Sequence, residues 1–240
     1  MGMSSRAGVL ALAFSGFLLA GCQTTAQTSG EGGATVQMAR EAMARGDLLS
    51  TASSRSAPAQ AIAPRIYLIR GLANVFSQGM DDLGVKLRQR GYNATVHEHG
   101  AWSVIAAEIV TNQRASGGRH QAVVVGHSLG ANAVTDIANE VGRQGATVAL
   151  SVAFDPTVRQ QLAGGTRRYV NLFQSNNGWG SAVGAAPGFR GRLENIDLSQ
   201  RGNITHFNID KDAGLHAQVI AWVGQAVGNG RRGARQAVAR

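Results

Sequence analysis

The sequence predicts an α/β domain, a mostly parallel sheet with helices on both faces and no large lid domain, on three observations. Short apolar runs rich in β-branched residues alternate with amphipathic stretches from Arg65 onward, the pattern of strands buried on both faces and joined by helical crossovers. One run, Ala122-Val123-Val124-Val125, ends abruptly in Gly126-His127-Ser128-Leu129-Gly130, and a helical pattern begins at once. The stretches between these elements are short, so little chain remains for an inserted lid.

Each element follows from its own pattern. Ile66-Tyr67-Leu68-Ile69 reads as a buried strand, 81–90 as a helix with Leu83 and Leu87 inward, and 94–97 as a second strand. Residues 102–110 read as a helix, 121–125 as the strand into the Gly-x-Ser-x-Gly turn, and 131–142 as the helix after it. Residues 147–154, 169–173 and 193–196 supply the remaining strands. A last helix over 215–227 turns Val219, Ile220, Trp222 and Val223 to one side. Period-2 or continuous apolar runs mark the strands and 3.6-residue spacing marks the helices.

The N-terminus follows a different logic. Arg6 precedes an uncharged run, 7–20, that is shorter than the roughly 20 residues a membrane span requires and has the length of a secretory h-region. It ends in Leu19-Ala20-Gly21-Cys22, and Cys22 is the only cysteine, so an intrachain disulfide is impossible. Leu-Ala-Gly-Cys resembles the bacterial lipobox, in which the cysteine is acylated and becomes the first residue of the mature chain. The resemblance implies a lipoprotein signal peptide over 1–21, lipidation at Cys22 and a place in the bacterial cell envelope. Gln23, rather than Asp, resembles lipoproteins sorted to the outer membrane, facing the periplasm. Residues 22–62, rich in Ser, Thr, Ala, Gly and Gln, read as a flexible tether, 63–228 as the folded domain and 229–240 as a basic disordered tail.

Composition narrows the partners. The formal charge is +9, from 23 basic and 14 acidic residues, but the basic residues are scattered and aromatics make up only 5% of the chain. That excludes an aromatic-interleaved nucleic-acid groove and suits an anionic membrane surface or peptidoglycan, or simply an arginine-biased composition. No Cys/His cluster has metal-ligand spacing, and His97-Glu98-His99 alternates across a strand, so neither metal nor cofactor is expected. A monomer acting on a small molecule is the expectation.

The chemistry centres on Ser128. A strand-to-helix turn this tight leaves no room for side chains at Gly126 and Gly130, and exposes the serine hydroxyl above the sheet. A serine hydroxyl is a weak nucleophile unless an imidazole takes its proton and a carboxylate orients the imidazole. On such an elbow the partners follow in the order Asp, then His. Asp155 ends the strand 147–154, where the carboxyl ends of parallel strands converge, although Asp-Pro-Thr also suits a helix start; Asp197 is the reserve acid. His206, in the loop before the last helix, is the leading base, ahead of His97, His99, His120, His127 and His216. The oxyanion of a tetrahedral intermediate needs two backbone N–H donors, assigned to Leu129 and to Leu72 after Gly71. The loop 171–181, with Trp179, either borders the substrate or is a plain surface loop.

Over 65–225, Gly-His-Ser-Leu-Gly with the ordered Asp155 and His206 resembles the α/β-hydrolase superfamily, more loosely its small lipase-like and thioesterase-like members. The resemblance implies a serine hydrolase acting on a carboxylic ester or thioester through an acyl-enzyme on Ser128. Transfer to an alcohol acceptor would use the same residues, and the alternative is a non-catalytic envelope lipoprotein that uses the scaffold for binding. Two departures stand out: Arg70-Gly71 replaces the family's frequent His-Gly, and the acid follows the strand next after the nucleophile helix.

Overall fold

The computed structural model describes residues 63–72 and 77–238, with side chains to residue 228. The segments read from the sequence as signal peptide (1–21) and tether (22–62), with Cys22, lie outside the described residues. In chain order the elements are β1 (Arg65–Ile69), α1 (Gln78–Gln89), β2 (Asn93–His97), α2 (Trp102–Ala115), β3 (Ala122–His127), α3 (Leu129–Arg143) and β4 (Leu150–Phe154). They continue with β5 (Gln161–Leu162), β6 (Arg168–Phe173), β7 (Gly184–Ala185), β8 (Arg192–Asp197) and α4 (Ala213–Val238).

Six strands form one parallel sheet in the order β2-β1-β3-β4-β6-β8, and β5 and β7 pair separately. The register sets Ile69 opposite both His97 and Gly126, His127 opposite Phe154, and Leu172 opposite Phe154. The carboxyl ends of the central strands therefore finish level with one another. Strand order reverses between β1 and β3, and in open α/β sheets the crevice outside such a switch point is where ligands bind.

Alternation along the strands builds two cores. Ile66, Leu68, Val123, Val125, Val152 and Phe154 face one side, covered by α1 through Leu83 and Leu87 and by α4 through Leu215, Val219 and Val223. Tyr67, Ile69 and Val124 face the other, covered by α2 through Ile105 and Ile109 and by α3 through Val134, Ile137 and Val141. Every residue of β3 is buried. At about 1.5–3 kcal/mol per large apolar side chain buried, these two layers supply the main driving force for the domain.

The helices run longer than the apolar spacing suggests. α2 continues past Val110 through a polar stretch to Ala115, because nothing interrupts its hydrogen bonding until Gly117 and Gly118 take φ of +61° and +79°. The strand expected over 147–154 is regular only from Leu150; before it, Val148 makes a single bridge to Thr166. The backbone of α4 stays helical to Val238, ten residues into the segment that composition assigns to a disordered tail. Ala, Arg, Gln and Val there carry helix on from a well-packed start despite Gly230 and Gly233. The β5–β7 pair is too short to leave a sequence signal. No inserted domain interrupts the sheet among the described residues.

A Cβ on Gly126 would lie 2.2 Å from the carbonyl oxygen of Gly130. Gly126→Ala is expected to cost stability at the upper end of about 1–3 kcal/mol, because the neighbour that must yield is backbone; a urea midpoint measures it.

Candidate active site

The site grows out of the end of β3. Ser128 N–H donates to Phe154 O at 2.9 Å, continuing the sheet by one bond, while Ser128 O already accepts from Ala131 and Asn132 to begin α3. One residue serves strand and helix at once only in an unusual conformation, φ 59° and ψ −121°. Among the described residues the non-glycine positions with positive φ are Ser128 and Asp155. Such conformations cost on the order of 1–3 kcal/mol each and persist where the surroundings dictate them.

Asp155 repeats the arrangement one strand over. Its N–H donates to Leu172 O at 2.8 Å, and its side chain turns back above the sheet. His206 Nδ1 lies 2.6 Å from Asp155 Oδ2, and His206 Nε2 lies 3.1 Å from Ser128 Oγ. A carboxylate can only accept, so Nδ1 carries the proton and Nε2 presents its lone pair to the serine hydroxyl. Asp155 is fully buried, His206 6% exposed and Ser128 9% exposed, so the relay is shielded except at the serine end. Asp155 also accepts from Gln174 N–H at Oδ1 (2.9 Å) and from Asn177 Nδ2 at Oδ2 (2.7 Å).

Asp197, the reserve acid, bonds elsewhere. It accepts from Ser175 Oγ at 2.5 Å and from the N–H groups of Ser175 and Ser199, and the Ser175 hydrogen bond holds its carboxyl below the usual range. Leu129 is the first residue of α3, so its N–H has no intrahelical acceptor and is free to face an oxyanion. Leu72 follows Gly71, whose Cβ would stand 2.9 Å from Ser128 Cβ; the β1 turn thus passes directly against Ser128. Arg70 does not reach the serine. Its guanidinium bonds Asp81 at 2.9 and 2.5 Å and Glu98 at 3.2 Å, pinning the turn to α1 and to the end of β2.

Below the site lies a buried network that sequence order does not reveal. Gly71 N–H donates to Ser77 Oγ (2.8 Å), Ser77 Oγ bonds His127 Nδ1 (2.9 Å), and His127 Nε2 donates to His206 O (2.8 Å). The carbonyl can only accept, so Nε2 is protonated and the Ser77 hydroxyl donates to Nδ1. His127 thereby ties the β1 turn to the loop that carries His206. Burial, reinforced by the nearby His206 charge, pushes its pKa down to about 4. Asp210 Oδ2 approaches His127 Nδ1 to 3.7 Å and accepts from Gly79 N–H. Burial pushes the Asp210 carboxyl up to about 6, so the contact is not an ion pair where both groups are neutral. Asn132, in the first turn of α3, holds the loop after Asp155 by bonds to Thr157 N–H and Thr157 Oγ1. Asn132, Gln174, Asn177 and the linking of His127 to Ser77 and Asp210 are not foreseen from the sequence, which offers His127 only as a weaker candidate base. The one available signal was the Asn-Asn-Gly-Trp-Gly run at 176–180.

No protein-family model matches the chain, and no curated protein matches it. Among solved structures it is similar to one named only as a candidate hydrolase of the alpha/beta superfamily from Xanthomonas campestris pv. campestris. The identity is 13%, over 68% of this chain and 98% of that one, with a TM-score of 0.36. It is also similar to RedJ, solved with a polyethylene glycol molecule bound in the active site, at 12% identity over 70% of this chain and 91% of that one, TM-score 0.35.

The buried carboxyl makes a testable pH signature. With its folded pKa raised, Asp210 holds a proton between about pH 4 and 6 that the unfolded chain has released, so its contribution to stability falls as pH rises through that window. Asp210→Asn carries no such proton. Its stability relative to wild type is expected to rise by about 2–3 kcal/mol between pH 4 and 7, read from urea midpoints. His127 titrates with the opposite sign but is common to both proteins, so it largely cancels in the difference.

Proposed function

We propose that the chain is a serine hydrolase that cleaves a carboxylic ester or thioester through an acyl-enzyme on Ser128. The observation that supports it most directly is the relay itself: Ser128 Oγ 3.1 Å from His206 Nε2, with His206 Nδ1 2.6 Å from Asp155 Oδ2. Ser128 Oγ attacks the carbonyl carbon as His206 Nε2 takes its proton, and Asp155 orients and stabilises the imidazolium. The oxyanion that forms is met by the N–H of Leu129 and by that of Leu72 on the β1 turn. The bond from carbon to the leaving oxygen or sulfur then breaks, its electron pair leaves with that atom, and His206 returns the proton to it. Water, deprotonated by the same imidazole, attacks the acyl-serine and regenerates the enzyme; an alcohol in place of water makes the reaction a transfer.

The same reading places the enzyme on a membrane through acylated Cys22, with the tether 22–62 between anchor and domain. Leu19-Ala20-Gly21-Cys22 and the preceding uncharged run support it. Several acyl chains, at about 0.8 kcal/mol per buried methylene, would make that anchoring stable.

A fluorophosphonate probe is expected to label wild type and not Ser128→Ala; equal labelling of both, or of neither, leaves the scaffold a binding module and overturns the hydrolase reading. Ester hydrolysis should fall by about 10⁶-fold in Ser128→Ala and by about 10⁴-fold in Asp155→Asn. Asp197→Asn should stay near wild type, and a loss there equal to that of Asp155→Asn would reassign the acid. Cys22→Ser should move the protein from the membrane to the soluble fraction, whereas unchanged fractionation would sink the anchor.

A further inference from the structure

Two aromatic side chains stand exposed among the described residues, Trp179 and Phe207, each half open to solvent, and both flank His206. The indole lies over the imidazole in a stacked arrangement, with centroids 4.9 Å apart and planes 19° apart. The Phe207 ring stands edge-on to His206 at 5.5 Å and to Trp179 at 6.2 Å. The three rings make a corner whose apolar walls end in water.

This corner is built, not incidental. Asn177 donates to Asp155 through Nδ2, while its Oδ1 accepts from the N–H groups of Trp179 and Gly180, each at 2.8 Å. A Cβ on Gly180 would meet Asp155 Oδ1 at 2.1 Å. The carboxyl that orients His206 therefore also fixes the backbone of Trp179. An indole half open to solvent on a backbone so held leaves apolar surface for something to cover, and the Phe207 ring stands edge-on beside it.

The chemistry of the relay says which part of a substrate that is. His206 must hand its proton to the departing atom, so the leaving group departs on the His206 side, between the imidazole and its neighbours. We propose that Trp179 and Phe207 form the leaving-group subsite, and that the substrate is an ester or thioester whose alcohol or thiol portion is aromatic or otherwise flat and apolar. This rests on the hydrolase reading and adds the side of the scissile bond on which selectivity lies.

Benzyl acetate and ethyl acetate share an acyl group and have similarly reactive alkoxide leaving groups, so their ratio of kcat/KM isolates the ring. Full-length wild type is expected to prefer benzyl acetate. Trp179→Ala and Phe207→Ala should each lower that ratio by about 3- to 10-fold, the range of an aromatic contact, and Trp179→Phe should recover most of it. Fluorophosphonate labelling of each variant checks that the fold and the relay survive. A labelled variant whose ratio is unchanged, or in which both esters slow equally, overturns the subsite and makes Trp179 only a support for His206. A wild type that does not label at all overturns the hydrolase reading and the subsite with it.

Discussion

Everything at the top of this sheet depends on how closely α3 starts against β1 and β3. A Cβ on Gly130 would lie 2.2 Å from Ile69 O, and one on Gly126 would lie 2.2 Å from Gly130 O. With no side chain at either position, the helix begins directly over the switch point of strand order, and the chain must turn from strand to helix within one residue. Ser128 absorbs that turn in its positive φ. The result is a hydroxyl lifted above the sheet and an adjacent helix start with free N–H donors, both consequences of a single steric condition.

Asp155 plays the corresponding part on the next strand. Its side chain receives three donors, from His206, Gln174 and Asn177. A buried carboxyl is costly unless its oxygens are hydrogen-bonded, and here the bonds that meet that need also position everything around the carboxyl. Through Gln174 and Asn177 the loop after β6 wraps the acid. Asn132 reaches from α3 to hold the loop after β4. The relay is therefore rigid because each of its members is also a structural anchor, which is the preorganisation that lets dipoles act without rearranging during a reaction.

What could be read from the sequence, and what could not, divides by the range of the interaction. The strand, elbow and α3 were legible because local sterics decide them: β-branched residues, then glycines at fixed offsets. Ser128, Asp155 and His206, which motif and chain order picked out, are the three groups that the fold brings within hydrogen-bonding distance. Pattern ranks Asp155 ahead of Asp197 although each ends a strand; the fold separates them by what lies beside them, His206 for one and Ser175 for the other. Asn132 and Ser77 left no local trace, and Asn177 only the Asn-Asn-Gly-Trp-Gly run around it, because an amide or hydroxyl that braces a loop looks like any polar loop residue until its partner, tens of positions away, is known. The helical continuation of α4 was hidden for the opposite reason. Its composition is polar and basic, which reads as solvated chain, while its backbone simply extends a helix already nucleated and packed by Leu215, Val219 and Val223.

His127 shows why such hidden residues matter for the site. Read along the chain, it is only the residue before Ser128. In the fold its two ring nitrogens bond different segments, Ser77 beside the β1 turn at one and the carbonyl of His206 at the other. A protonated imidazole would donate from both nitrogens and could not accept the Ser77 hydroxyl, so the network closes only around the neutral ring that burial enforces. Because Ser77 Oγ in turn accepts from Gly71 N–H, the β1 turn and the loop that holds His206 share one hydrogen-bonded link. The geometry of that end of the sheet is then set beneath the relay by buried groups, while the exposed rings of Trp179 and Phe207 stand at its rim.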